Sequence, residues 1–131
     1  ELFLFGGATW DATIQAVVNL SEAYAFSPLR NRWRRLTPLP IRVRGVSAVA
    51  LDDWHLYIAG GYMNKELEFT DQGFIYDLKN DHYRAAIALP YSGMVSLVRS
   101  GDYIYCLGGE DKQRHRSAAV YRIKVSDLLR P

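Results

Sequence analysis

The chain has 131 residues, with 16 Lys and Arg against 14 Asp and Glu and a formal net charge of +2, too small an excess to argue for nucleic acid as a partner. Hydrophobic residues make up 49% of it and nine positions are Tyr, which suits one domain's worth of packed β structure. No apolar run is long enough for a helical membrane span, so no membrane is expected as a partner, and the single cysteine, Cys106, excludes an intrachain disulfide.

In chain order, Leu2-Phe3-Leu4-Phe5 is a short apolar strand that ends in Gly6-Gly7. The segment 8–22 follows, with Trp10 and Asp11 near its start and Ile14, Val17, Val18 and Leu20 at roughly helical spacing. A short helix or an ordered lid would both fit, and a packed structural insert is expected. An apolar strand then ends in Phe26, a turn-rich stretch Ser27-Pro28-Leu29-Arg30-Asn31 follows, and Trp33 stands seven residues after Phe26. Arg30, Arg32, Arg34 and Arg35 lie on or beside an outer strand, where alternation separates Arg32 and Arg34 from Arg35 and where charge protects an edge.

The pattern then recurs. Val46 to Leu51 reads as a strand, and His55-Leu56-Tyr57-Ile58-Ala59 runs into Gly60-Gly61. A polar loop, 62–72, leads to a strand ending in Tyr76, with Tyr83 seven residues on. Met94 to Arg99 reads as another strand, Tyr103-Ile104-Tyr105-Cys106-Leu107 ends in Gly108-Gly109, and the loop 110–117 leads to Tyr121. The diglycines recur at offsets of 54 and 48 residues, and Gly45 and Gly93 each stand 15 residues before the following pair. A period near fifty built from short strands marks an array of β blades. Cys106, on a predicted strand with no His or acid beside it in sequence, reads as a buried structural thiol.

A diglycine followed by spaced aromatics resembles the kelch repeat, and the resemblance covers nearly the whole chain. It implies an all-β fold: a kelch-type β-propeller fragment of about two and a half to three four-stranded antiparallel blades. Residues 1–131 are then a partial propeller. Blade one spans 2–36 and lacks its first strand, blade two spans 45–86, and blade three spans 93–128 with a degenerate last strand. Trp33 and Tyr83 are expected to pack between blades. Propellers close with about four to eight blades. The remaining blades of a longer protein, or self-association, are therefore expected to close the ring, and a start inside a blade without an initiator Met favours the longer protein.

Connections after each diglycine and between blades are expected on one face, where function concentrates. The loop Gly109-Glu110-Asp111-Lys112-Gln113-Arg114-His115-Arg116-Ser117 resembles the corresponding loop of the bacterial kelch-type sialic acid mutarotases, the N-acetylneuraminate epimerases. The stretches 69–77 and 89–94 are also similar to that family, and Gln113 stands where relatives often carry Pro. The resemblance implies that Glu110 is the proton acceptor and Arg116 a site arginine, with sialic acid or a related sugar as ligand and no cofactor. It would place the protein in the bacterial periplasm or outside the cell; the sequence itself leaves the compartment unknown. The chemistry suits these residues: ring opening at the anomeric carbon needs a base for the hydroxyl proton, the role of Glu110, and a sugar carboxylate suits a bidentate guanidinium, the role expected of Arg116. The alternative reading of 110–117 is a solvated charged turn, with Lys112 and Arg114 mostly solvated.

Arg42 and Arg44 sit between blades, just before a first strand. Arg44, Tyr62, Asn64 and His115 are further candidates for substrate contact. His55 and His82 are isolated, so no metal site is read. The competing function is a kelch module that grips an acidic peptide or partner protein through Arg44, Tyr62 and the 110–117 loop.

Overall fold

Strands of alternating burial punctuated by turn residues pair antiparallel along the whole chain. In the computed structural model, which describes residues 1–131, β1 (Leu2–Phe5) is followed by β2 (Ala8–Asp11), β3 (Ala16–Asn19), β4 (Ala23–Ser27) and β5 (Arg32–Leu36). β1, β4 and β5 form a sheet in that order, and β2 and β3 make a separate hairpin. Next come β6 (Ser47–Ala50), β7 (His55–Ala59), β8 (Tyr62–Asn64), β9 (Glu68–Phe69), β10 (Gly73–Asp77) and β11 (His82–Ala86). Their sheet has the order β11-β10-β7-β6, with β8 and β9 as the hairpin beyond it. The last set is β12 (Met94–Ser100), β13 (Tyr103–Lys112), β14 (His115–Arg116), β15 (Val120–Lys124) and a short helix, α1 (Val125–Leu129). β13 pairs with β12 and β15, and its far end folds back on β14. The fold is all-β apart from α1.

The sheets stack through two apolar layers. Ala23, Ala25 and Leu36 of the first sheet meet Ile58 and Tyr76 of the second. Tyr57 and Ile75 on the second sheet's other face meet Ile104, Cys106 and Leu128. Two-face burial of this kind requires a strand to be apolar on both sides, as the run of buried residues from Tyr57 to Ala59 is. Burial pushes the Cys106 thiol up, as an inert core thiol requires.

The diglycines have a definite cause. Gly6 has φ +66° and Gly60 φ +75°, and an added Cβ would fall 2.3 Å from the Val43 carbonyl oxygen and 2.5 Å from that of Gly93, respectively. The connection to the next sheet thus crosses directly over the first glycine of the pair. In these two pairs the second glycine donates its N–H to that connection, Gly7 to Val43 and Gly61 to Gly93, both at 2.9 Å. A side chain at Gly6 or Gly60 would meet both the left-handed φ and the carbonyl.

The first two sheets are also clamped by polar groups. Asp81 accepts from the Thr37 N–H at 2.9 Å and from the Tyr76 hydroxyl at 2.6 Å, and the Tyr83 hydroxyl donates to the Thr37 carbonyl at 2.8 Å. Tyr83 also lies edge-on to Phe5 of the first sheet. On the outer strand β5, Arg34 pairs with Glu1 while Arg35 donates to Tyr24.

Three expectations need correction. Trp33 is not covered: it stacks on Phe26 at 4.9 Å and is 54% exposed, because its face of the first sheet has no neighbour. Residues 8–22 are not a packed insert or helix but the β2–β3 hairpin, with Trp10, Ile14 and Val17 all more than half exposed. Antiparallel pairing of Ala8–Asp11 with Ala16–Asn19 outweighed the helical spacing. The third sheet does not end in a fourth strand. A strand over 125–129 would turn Asp127 to the same side as Val125; the helix instead brings Val125 and Leu128 onto one buried face and leaves Asp127 to pair with Arg130. Arg84 on β11 donates to the carbonyls of Leu129 and Arg130, fixing the helix end to the second sheet.

Candidate functional site

Each diglycine releases a hairpin at the same end of its sheet, and the three hairpins touch in series. Asn19, at the end of β3, donates its side-chain amide to the carbonyls of Tyr62 (2.8 Å) and Met63, which ties the first hairpin to the second. β9 of the second hairpin touches β13, whose far end forms the third. The connections 37–46 and 87–93 enter between them.

On the third hairpin, Glu110 is the register partner of Arg116. Directly opposed residues of an antiparallel pair share a face, so a carboxylate and a guanidinium stand on one side of this limb. Glu110 is half-buried and accepts the Arg114 N–H at 3.1 Å, which supports a turn in which Arg114 has φ +59°. Arg116 is exposed and forms no ion pair. The exposed His115 bonds through Nδ1 to Asp111, and that hydrogen bond is the main reason the Asp111 carboxyl lies below the ordinary carboxylate range. Lys112 and Arg114 are exposed.

Arg44, Tyr62 and Asn64 come together in a different place, between the first and second hairpins. Arg44 and Tyr62 exchange backbone hydrogen bonds of 3.1 and 2.8 Å, and the Arg44 guanidinium lies 4.6 Å from the centre of the Tyr62 ring. Tyr62 in turn meets Phe69 edge-on. These residues line a cleft of about 650 Å³ together with Val17, Asn19, Arg42 and Lys65. The cleft and the third hairpin are joined through Met94. Met94 is the register partner of Glu110, and its side chain packs against Gly45, next to Arg44. Asn19 and Lys65 escaped the sequence reading. Their contribution depends on two hairpins closing on each other across more than forty positions, for which no local spacing gives a signal. Nowhere does the structure gather three His, Cys, Asp or Glu side chains that could hold a metal ion.

A second cavity, of about 220 Å³, lies between the second and third sheets and is lined almost wholly by apolar residues, including Tyr57, Leu89, Cys106 and Tyr121. It holds no carboxylate or imidazole, and burial raises both the Cys106 thiol and the Tyr57 phenol.

Comparison with known proteins places this geometry in context. No family model matches the chain. It is 30% identical over 122 residues to Kelch-like protein 35 of Mus musculus, which covers 92% of this chain and 19% of that protein. It is 24% identical over 155 residues to the N-acetylneuraminate epimerase of Salmonella enteritidis, covering 93% of this chain and 40% of the epimerase. Among solved structures, that of YjhT superposes with a TM-score of 0.81 at 18% identity, over 95% of this chain and 46% of YjhT. The chain thus spans less than half the length of these relatives. The matches and the sheets agree on a kelch-repeat β-propeller that resembles the N-acetylneuraminate epimerases.

Proposed function

We propose that this chain supplies the proton-transfer hairpin of a sialic acid mutarotase, an enzyme that interconverts the anomers of N-acetylneuraminate. The observation that carries the reading is the Glu110–Arg116 register pair on the third hairpin, in a chain similar over 93% of its length to N-acetylneuraminate epimerases. Glu110, one oxygen of which is oriented by the Arg114 N–H, takes the proton of the anomeric hydroxyl. The electron pair of that O–H bond forms the open-chain carbonyl as the bond between the anomeric carbon and the ring oxygen breaks, and the ring oxygen takes the proton back from Glu110, directly or through a water. Reclosure on the opposite face of the carbonyl reverses each step, so the reaction consumes nothing and needs no cofactor. A positioned base contributes about 10²–10⁴-fold to such a step. Arg116 places a cation on the same face, where it opposes charge building on the sugar's oxygens.

A second reading is a protein-binding module for an acidic partner, which the exposed cations Arg42, Lys65 and Arg116 would suit; the match to the mouse kelch-like protein speaks for the repeat and names no partner. One experiment separates the two. The protein with its propeller complete is added to freshly dissolved α-anomer, and anomer exchange is followed by proton NMR. The mutarotase reading expects exchange to accelerate at micromolar protein. An unchanged rate, together with tight binding of an acidic peptide, would establish the second reading in its place.

A further inference from the structure

The cleft between the first two hairpins has a one-sided charge. Its lining includes Arg42, Arg44 and Lys65 and no acidic residue. None of the three cations belongs to an ion pair, and the nearest acids in sequence, Glu66 and Glu68, are exposed and outside the lining. Clustered like charges without counter-charges repel one another, which an anionic ligand would relieve.

Arg44 differs from the other two. It is half-buried, whereas Arg42 and Lys65 are exposed. Its backbone is pinned in both directions to Tyr62, and its guanidinium lies over the Tyr62 ring. A stacked guanidinium keeps its N–H edges available for a planar acceptor and loses little freedom on binding one. Asn64 accepts the N–H groups of Glu66 and Leu67 through Oδ1, which leaves its two amide hydrogens as donors. Val17 and Tyr62 add apolar surface suited to the C–H face of a sugar ring, and about 650 Å³ is a usual volume for a small-molecule site. Arg116, by contrast, is an exposed side chain that nothing holds.

We propose that this cleft reads the negative charge of the ligand: Arg44 binds the carboxylate of an acidic sugar, and Arg116 is left to face the oxygens that react. This rests on the mutarotase reading for the choice of sugar and for the role left to Arg116, and the assignment of Arg44 does not depend on it.

The test compares N-acetylneuraminate with its methyl ester, which keeps the shape and removes the charge. Both are titrated calorimetrically into the complete propeller. The wild type should bind the acid about tenfold or more tightly than the ester. R44Q should bring that ratio close to one, and R116Q should leave it in place while slowing anomer exchange. If R44Q does not fold, R44K carries the test, because loss of the planar fork should still lower the ratio severalfold. The proposal is overturned if the ratio survives in the Arg44 variant or disappears in R116Q. It is also overturned if hexaglutamate binds in an Arg44-dependent way while the free sugar acid does not. A wild type that fails to accelerate anomer exchange, yet whose acid-to-ester ratio collapses in R44Q, would refute the mutarotase reading and leave the cleft assignment standing.

Discussion

Asp81 shows how one side chain can join two blades. Burial pushes its carboxyl up, but the Tyr76 hydroxyl and the Thr37 N–H and hydroxyl together outweigh that and hold it below its ordinary value of 3.8. A carboxyl depressed in the folded state adds stability above its unfolded pKa, and the contribution is lost as pH falls through the folded pKa. Asp81→Asn should therefore cost about 1 kcal/mol at pH 7, a modest figure because the residue is exposed. The gap between variant and wild type should narrow below about pH 4. Urea unfolding at pH 7 and at pH 3.5 checks both points. Gly60→Ala should be harsher. It forces a Cβ to 2.5 Å from the Gly93 carbonyl at a left-handed φ, so destabilisation should exceed the roughly 1–2 kcal/mol that the conformation alone costs. At this scale the sequence was informative where a residue's role is local. The diglycines and the six-residue spacing of Glu110 and Arg116 could be read directly, because a turn and a two-residue register follow from near neighbours. Asn19 could not, because its partners lie over forty positions away.

Among the elements, α1 stands where a fourth strand was expected. Leu128, not an aromatic, stands seven residues after Tyr121, which marks the last strand of this blade as degenerate, but alternation alone could not reveal that Val125 and Leu128 need the same face. Leu128 is 1% exposed and belongs to the layer between the second and third sheets. Leu128→Ala should cost about 2–5 kcal/mol, the range for truncating a buried leucine. Arg84→Ala, which frees the helix end, should cost less and mainly raise hydrogen exchange in 125–129. The central strands were legible for the opposite reason: β7 is apolar on both faces and runs straight into Gly60-Gly61, β13 carries Gly108-Gly109 within it, and β10 is an apolar run that reaches Tyr76. The β2–β3 hairpin was misread because Ile14, Val17 and Val18 fit a helical spacing by coincidence, and only the pairing of Trp10 with Val17 across the hairpin decides the matter.

The whole molecule is a stack with two uncovered faces. Phe26 and Trp33 on the first sheet have the same spacing as Tyr76 and Tyr83 on the second. The second pair is covered by Phe5, and the first is not. Leu2, Leu4 and Trp33 remain over half exposed on one outer face, and Val98 and Val120 are about half exposed or more on the third sheet. Contiguous apolar exposure of this kind drives association. The isolated chain should accordingly self-associate in light scattering at micromolar concentration, and Trp33→Ser with Leu4→Ser should shift it toward monomer. A monodisperse, fully folded monomer of the unaltered chain would show that these faces do not require a neighbour. The repeat was legible because it follows from counting strands; the bare face at Trp33 and the cleft between hairpins were not, because both depend on which blades stack on which.

The central claim is that Glu110 moves the anomeric proton. Its most direct test is the rate of N-acetylneuraminate anomer exchange, measured by proton NMR in the complete propeller for wild type, Glu110→Gln and Lys112→Ala. Glu110→Gln keeps the side chain's shape and the bond to the Arg114 N–H while removing the base. Turnover should fall by about 10²-fold or more with little change in affinity, and Lys112→Ala, an exposed neighbour, should stay near wild type. Equal, near-wild-type rates for both variants would contradict the account and return the 109–117 hairpin to a charged surface turn.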